Sequence, residues 1–201
     1  MNQGTSNLND DTDELIATRV VGGDSEQFSR LLERYEKKIT RYARKFLSHP
    51  DDVKDIVQDV FIKAYVNIKS FDPSRRFSPW IYRIAHNEFI NALKKKKSEK
   101  ISFIDFDVLL PHPAARETAD MDVGRKDLRR LLDGFLEKMP VKYREPLVLY
   151  YFEEMGYREI GEVIHIPLST VGIRLQRGKV LLKKMIERQH PGRTGEIIGK
   201  V

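Results

Sequence analysis

The chain has 201 residues and carries 36 Lys and Arg against 30 Asp and Glu, a formal net charge of +6. That length supplies one large domain or two small ones, and a modest basic excess is compatible with a polyanionic partner without identifying one. The absence of cysteine excludes disulfides and thiolate metal sites. No apolar run approaches the ~18 residues of a membrane span, and the opening MNQGTSNLNDDTDE is unlike a secretory signal. A cytoplasmic protein without a membrane span of its own is expected. The histidines (His49, His86, His112, His165, His190) are scattered, none at metal-ligand spacing from a carboxylate. Neither a metal nor another cofactor is expected.

Residues 1–11 lack apolar periodicity and are expected to be disordered. A helical pattern begins with Leu15, Ile16 and Val20 and breaks at Gly22 and Gly23. Asp24 followed by Gln27 has capping-box spacing. Phe28, Leu31, Leu32, Tyr35, Ile39, Tyr42, Ala43 and Phe46 then recur at helical steps up to His49 and Pro50. In the next helix Val53, Ile56, Val57, Val60, Phe61, Ala64, Tyr65 and Ile68 form one apolar stripe. Asp51, Asp52, Asp55, Gln58 and Asp59 lie outside it. Carboxylates near a helix N-terminus are favourable by a few tenths to about 1 kcal/mol, which suffices for Asp51 and Asp52. Asp55 and Asp59 stand four apart on one face, where like charges oppose each other. A cationic partner surface would relieve that cost.

The stretch from Phe71 to Lys97, FDPSRRFSPWIYRIAHNEFINALKKKK, interleaves Phe71, Phe77, Trp80 and Tyr82 with Arg75, Arg76 and Arg83, and closes on four lysines. Aromatic faces can stack unpaired bases at roughly 1–3 kcal/mol each, while the cations neutralise phosphate. Such a segment suits separated DNA strands better than an intact duplex. It is equally compatible with a core helix that has a basic solvent face, and Tyr82 fits the core as well as a site. Asp72, Pro73, Ser74, Arg75, Arg76 and Phe77 are expected to form a loop, and Ser78-Pro79 has the form of an N-cap with Pro at the first helical position. Arg83, Asn87, Asn91 and Lys94 step by four, four and three into a polar ridge. Arg and Asn are the side chains shaped for bidentate contact with guanine and adenine, whereas Asn is locally unfavourable inside a helix.

From residue 98 to 123 periodicity fails in an acidic, Pro-containing stretch that also holds Phe103, Ile104, Phe106, Val108, Leu109 and Leu110. It reads as a linker between two domains. Leu128, Leu131, Leu132, Phe135, Leu136 and Met139 predict one helix, closed by Pro140. A second runs through Leu147, Val148, Tyr151 and Phe152, bent by Pro146. A short helix, Tyr157–Ile164, precedes the turn His165-Ile166-Pro167-Leu168. Ser169 is then expected to cap a longer helix with Val171, Leu175, Val180, Leu181 and Met185 inward and Arg174, Gln176, Arg177, Lys179, Lys183 and Lys184 outward. Short helix, tight turn and basic longer helix is helix-turn-helix spacing. The Gly-containing tail, 189–201, is expected to be loose. The fold class is all-α: two small helical domains, 12–97 and 124–188, on a flexible linker.

Together the two halves resemble an extracytoplasmic-function (group 4) sigma factor of the sigma-70 family. DDVKDIVQDVFIKAYVNIKSFDPSRRFSPWIYRIAHNEFINALKK is similar to sigma region 2, and MPVKYREPLVLYYFEEMGYREIGEVIHIPLSTVGIRLQRGK to region 4. The resemblance implies a non-enzymatic subunit that binds core RNA polymerase at its β′ clamp and β flap, directs it to promoter DNA and helps open the strands. It implies a polymerase-binding face at Asp52, Asp55, Gln58 and Asp59. Melting and reading of the minus-ten element falls to Phe71, Ser74, Arg75, Arg76, Phe77, Trp80, Arg83, Asn87, Asn91 and Lys94, the rings stacking on bases, framing a pocket or, Trp80 above all, simply belonging to the core. Contact with the minus-thirty-five element falls to Ser169, Thr170, Gly172, Ile173, Arg174, Gln176, Arg177 and Lys179. The usual regulator would be an anti-sigma factor, often membrane-associated.

Three positions depart from the family pattern. Gly172 stands where Lys or Arg is common, with Ile173 beyond it, His165 replaces the usual turn glycine, and Gly156 replaces the usual Ser or Thr cap. Two other classes compete: a dimeric helix-turn-helix regulator, which leaves the aromatic-basic segment unexplained, and a nucleic-acid enzyme, for which no carboxylate cluster or nucleophile constellation is present.

Overall fold

The computed structural model describes residues 11–47, 49–97 and 135–189. The expected disorder of residues 1–10, the linker, the helix expected before Phe135 and the tail after Gln189 lie outside them. The described residues contain seven α-helices and no strand. The chain divides into two compact units at Ala92 and Leu93.

In the first unit α1 (Asp13–Val21) starts at Thr12, whose hydroxyl accepts the Leu15 N–H at 3.3 Å. It ends where Gly23, at φ 108°, turns the chain in a conformation that only glycine adopts without strain. Asp24 does not cap the next helix. A 3-10 turn, Ser25–Gln27, intervenes, no side-chain cap forms, and α2 (Phe28–Arg44) begins directly after it. Gln27 instead accepts from Arg30.

Asp11, at the end of the stretch expected to be disordered, is tied down. Its carboxylate takes Arg19 at 2.6 Å and Arg30 at 2.8 Å, and these partners, Arg30 foremost, hold its pKa below the ordinary value. Arg34 pairs with Asp13 at 2.6 Å. α1 is thereby riveted to α2.

Pro50 opens α3 (Pro50–Val66) at a position where a missing N–H costs nothing. Val53, Val57, Val60, Phe61 and Ala64 are buried as the stripe predicts, but Tyr65 is half-exposed. A 3-10 turn, Ile68–Ser70, and the loop 71–76 lead to α4 (Phe77–Lys97). The helix starts one residue before Ser78, so Ser78 lies in its first turn rather than ahead of it. Lys63 meets Glu88 at 2.6 Å between α3 and α4. At the core the Tyr42 ring stands 5.1–5.2 Å from Phe46, Tyr82 and Phe89, mostly edge-on, the arrangement ring quadrupoles favour. Tyr82 is fully buried.

In the second unit a 3-10 turn, Leu136–Lys138, leads through Pro140 into α5 (Val141–Tyr151). Every residue from Glu145 to Tyr151 is buried, Glu145 among them, so this helix is enclosed rather than amphipathic. Arg144 donates to the Met139 carbonyl at 2.7 Å and fastens the turn below it. α6 (Tyr157–Ile164) and α7 (Leu168–Gln189) complete the unit, and α5 packs against both.

α7 starts at Leu168, so Ser169 is its second residue and not its cap. Its inward stripe also differs from the expected one: Val171, Leu175, Gly178, Leu182 and Ile186 are buried, whereas Val180 is half-exposed. The reason is Gly178. A β-carbon there would stand 2.9 Å from Leu147 and 3.3 Å from the Tyr143 carbonyl, both on α5. The glycine is the contact point of the two helices, and having no side chain it leaves no mark in a hydrophobic pattern.

Candidate nucleic-acid interface

The helix-turn-helix is built by local chemistry. Gly156 precedes α6, and its amide donates to Glu159 at 2.8 Å, so the carboxylate of the first turn does the work a Ser or Thr cap would share. α6 ends at His165, which adopts left-handed backbone angles (φ 55°, ψ 46°), a region His tolerates better than most residues. The Ile166 amide returns to the Gly161 carbonyl at 3.1 Å. A β-carbon at Gly161 would lie 2.8 Å from the Ile166 carbonyl oxygen; the tight turn depends on that glycine.

On α7 the expected reading residues divide by exposure. Ser169 and Gln176 are exposed, while Thr170, Gly172, Ile173, Arg174 and Arg177 are partly so. Val171 and Leu175 anchor the helix beneath them. Lys179 is turned toward the unit's own tyrosines, its ammonium 5.9 and 5.8 Å from the Tyr150 and Tyr151 rings. Burial there lowers its pKa, as desolvation of an ammonium requires.

In the first unit the loop between Phe71 and Phe77 is shaped by Asp72. Its carboxylate accepts the Ser74 amide at 2.9 Å and the Ser74 hydroxyl at 2.8 Å, and its carbonyl accepts the Arg75 amide at 3.0 Å. The two bonds from Ser74 hold the Asp72 pKa below its ordinary value. Ser74, Arg75 and Arg76 are exposed. The rings behave differently. Phe71, Phe77 and Trp80 are all buried, Phe77 fully, with centroids 5.3–5.6 Å apart. They meet one another edge-on or tilted within the core of the unit, as the core alternative for these rings expects. Along α4, Asn87, Asn91 and Lys94 are exposed and Arg83 is partly so, on one continuous ridge.

On α3, Asp55, Gln58 and Asp59 are exposed and Asp52 partly so. Beside them lies a strip that the sequence reading missed: Ile62 is 52% exposed, Tyr65 46% and Val66 71%. These residues rim a groove of about 670 Å³ between α2 and α3, floored by Phe28, Val57 and Phe61. The available signal was Ile62 and Val66, four apart and off the buried stripe. Among the described residues no group of three or more His, Cys, Asp or Glu could hold a metal, and no helix is long and apolar enough to cross a membrane.

Comparison with known proteins accounts for both units. The family model for sigma-70 region 2 matches residues 31–99, and that for sigma-70 region 4 matches residues 129–182. The extracytoplasmic-function (ECF) RNA polymerase sigma factor SigW of Bacillus subtilis is 35% identical over 182 residues, covering 84% of this chain and 93% of the relative. The ECF RNA polymerase sigma-E factor of Haemophilus influenzae is 30% identical over 183 residues, covering 88% and 96%. Among solved structures, CnrH in complex with the cytosolic domain of CnrY has a TM-score of 0.62 at 24% identity, covering 89% of this chain and 99% of that one. The sigma factor RpoE from Bartonella quintana, in complex with the anti-sigma factor NepR, has a TM-score of 0.59 at 21% identity, covering 81% and 98%. The chain therefore belongs to the ECF sigma factors of the sigma-70 family, the promoter-specific initiation factors of RNA polymerase.

Proposed function

We propose that the three exposed surfaces divide the work of initiation. The face Asp52, Asp55, Gln58 and Asp59, with the bordering strip Ile62, Tyr65 and Val66, binds core polymerase at the β′ clamp. An acidic edge beside an apolar strip offers both the charge complementarity that selects a partner and the area that holds it. α7 enters the major groove of the minus-thirty-five element through Ser169, Thr170, Ile173, Arg174, Gln176 and Arg177, while Gly172 allows the backbone close to the bases. The loop residues Ser74, Arg75 and Arg76, with Arg83, Asn87, Asn91 and Lys94, take the opened minus-ten strand. The second unit also contacts the β flap.

One observation carries this reading: the first unit carries an Arg-Asn ridge with both asparagines exposed, an exposed cationic loop and an exposed acidic-apolar face. A duplex-binding regulator needs none of them. The complexes of RpoE with NepR and of CnrH with the cytosolic domain of CnrY support control by an anti-sigma factor, membrane-associated, acting on a cytoplasmic sigma factor. The test is reconstitution. The purified chain should comigrate with core polymerase and enable transcription from promoters that core polymerase alone ignores. Failure of both would reject the assignment.

A further inference from the structure

The start of α4 is completed by a side chain from elsewhere. The first turn of α4 contains no acidic residue, and the first amides of any helix lack an intrahelical acceptor. The Phe77 amide finds one in Glu14, 63 positions earlier, at 2.9 Å. A carboxylate there both accepts the bond and faces the positive end of the helix dipole. Glu14 does not reach α4 alone. The neighbouring Asp13 accepts the Tyr35 hydroxyl at 2.6 Å, the Tyr35 ring lies 5.3 Å from the Phe77 ring, and its hydroxyl is also hydrogen-bonded to Ser78.

α1 is itself fixed, because Arg30 and Arg34 of α2 hold Asp11 and Asp13. It also packs against the turn Ile68–Ser70 just before Phe71. One helix thus touches both ends of the segment that presents Ser74, Arg75 and Arg76. The Phe71 end is held by packing; at the Phe77 end the ring is packed against Tyr35, and the backbone amide is held by the Glu14 carboxylate.

We infer that Glu14 is a positioning residue for promoter reading: by capping Phe77 it closes the loop 72–76 onto α1 and sets where Arg75 and Arg76 are presented. This rests on the reading of that loop as the element that takes the opened strand. Glu14 touches no nucleic acid and no polymerase in this scheme. It acts through backbone geometry.

The experiment uses holoenzyme reconstituted with core polymerase. Its probe is the non-template strand of a promoter selected by wild-type holoenzyme from a random duplex pool, compared with a scrambled oligonucleotide of the same composition. Glu14→Ala should reduce discrimination between the two on the order of ten-fold, the scale of one hydrogen bond to a charged group, while core affinity stays within about two-fold. Glu14→Gln, whose amide oxygen still accepts, should keep most of the discrimination. Hydrogen exchange at the Phe77 amide should accelerate in Glu14→Ala and stay slow in Glu14→Gln. Wild-type discrimination in Glu14→Ala would overturn the inference. So would equal losses in the two variants, or a parallel fall in core affinity. If wild-type holoenzyme itself has no preference for the selected strand, the reading of the loop falls and this inference with it.

Discussion

At the scale of single residues, burial decides which member of a basic helix is free to act. Arg174 and Lys179 both read as outward cations of α7, yet they stand differently. Arg174 lies partly exposed between the buried anchors Val171 and Leu175, whereas Lys179 leans over two tyrosine rings and is partly desolvated. Arg174→Ala should therefore cost about 1–3 kcal/mol of minus-thirty-five discrimination, the range for a base-edge contact, without altering core affinity. Lys179→Met, which keeps the packing stem, should leave the salt dependence of promoter binding nearly unchanged. Binding titrations at several salt concentrations check both. A change in slope of about 0.9 for Lys179→Met, the value for one released phosphate contact, would place that ammonium on DNA. The aromatic residues carry the same lesson. Phe71, Phe77 and Trp80 were legible as a cluster, but not their orientation, because a ring that stacks on a base and one that packs on its neighbour are the same letter in the chain.

At the scale of elements, two glycines set the geometry of the helix-turn-helix and make unequal demands. A methyl at Gly161 would press on the Ile166 backbone carbonyl at 2.8 Å, while one at Gly178 would meet chiefly the Leu147 side chain. Backbone cannot yield as a side-chain tip can. Gly161→Ala is expected to destabilise the second unit by about 1–3 kcal/mol and Gly178→Ala by less, as read by urea denaturation. The reverse order would mean that the α5–α7 contact is the more rigid. The tie between α1 and α2 has its own signature in acid. Because Arg30 and Arg19 hold the Asp11 pKa below its ordinary 3.8, the stability Asp11 contributes is complete above that value. It is lost as pH falls through the lower pKa of the folded state. Thermal unfolding of Asp11→Asn should accordingly show a shallower loss of stability below about pH 4 than wild type. An unchanged acid limb would remove Asp11 from that role. The boundaries of α6 were legible to the residue because its stop is a local backbone event at His165. The starts of α4 and α7 were each missed by two residues, since Ser78 and Ser169 imitate caps that the chain makes by other means.

At the scale of the whole molecule, the proposed reading puts the β′-clamp face and the duplex-reading helix on different units, so clamp binding and duplex reading should separate by mutation. Asp55→Lys reverses an exposed charge on the first unit and should weaken core affinity at least ten-fold, within the several kcal/mol that like-charge juxtaposition costs at an interface. Binding of the isolated protein to minus-thirty-five duplex should be unaffected. Fluorescence anisotropy with labelled core polymerase and, separately, labelled duplex distinguishes the cases. Undiminished core affinity would move the polymerase-binding surface off the acidic edge. Ile62, Tyr65 and Val66 belong to the same question, and only the spacing of Ile62 and Val66 marked this surface in the sequence. Ile62 and Val66 lie off the apolar stripe and Tyr65 belongs to it, and their exposure depends on how far α2 covers α3.

The sequence by itself determined the all-α class, the order of the elements, the two motif-bearing segments and, through them, the family. Each depends on periodicity and turn chemistry that span only a few residues. Tertiary packing alone decided which rings face inward, which stripe of α7 meets α5, and which carboxylate caps α4. Those outcomes turn on contacts between distant residues, such as Glu14 with Phe77 and Gly178 with Leu147. No local pattern records a partner 63 positions away, and a glycine records its function only through the atom it lacks.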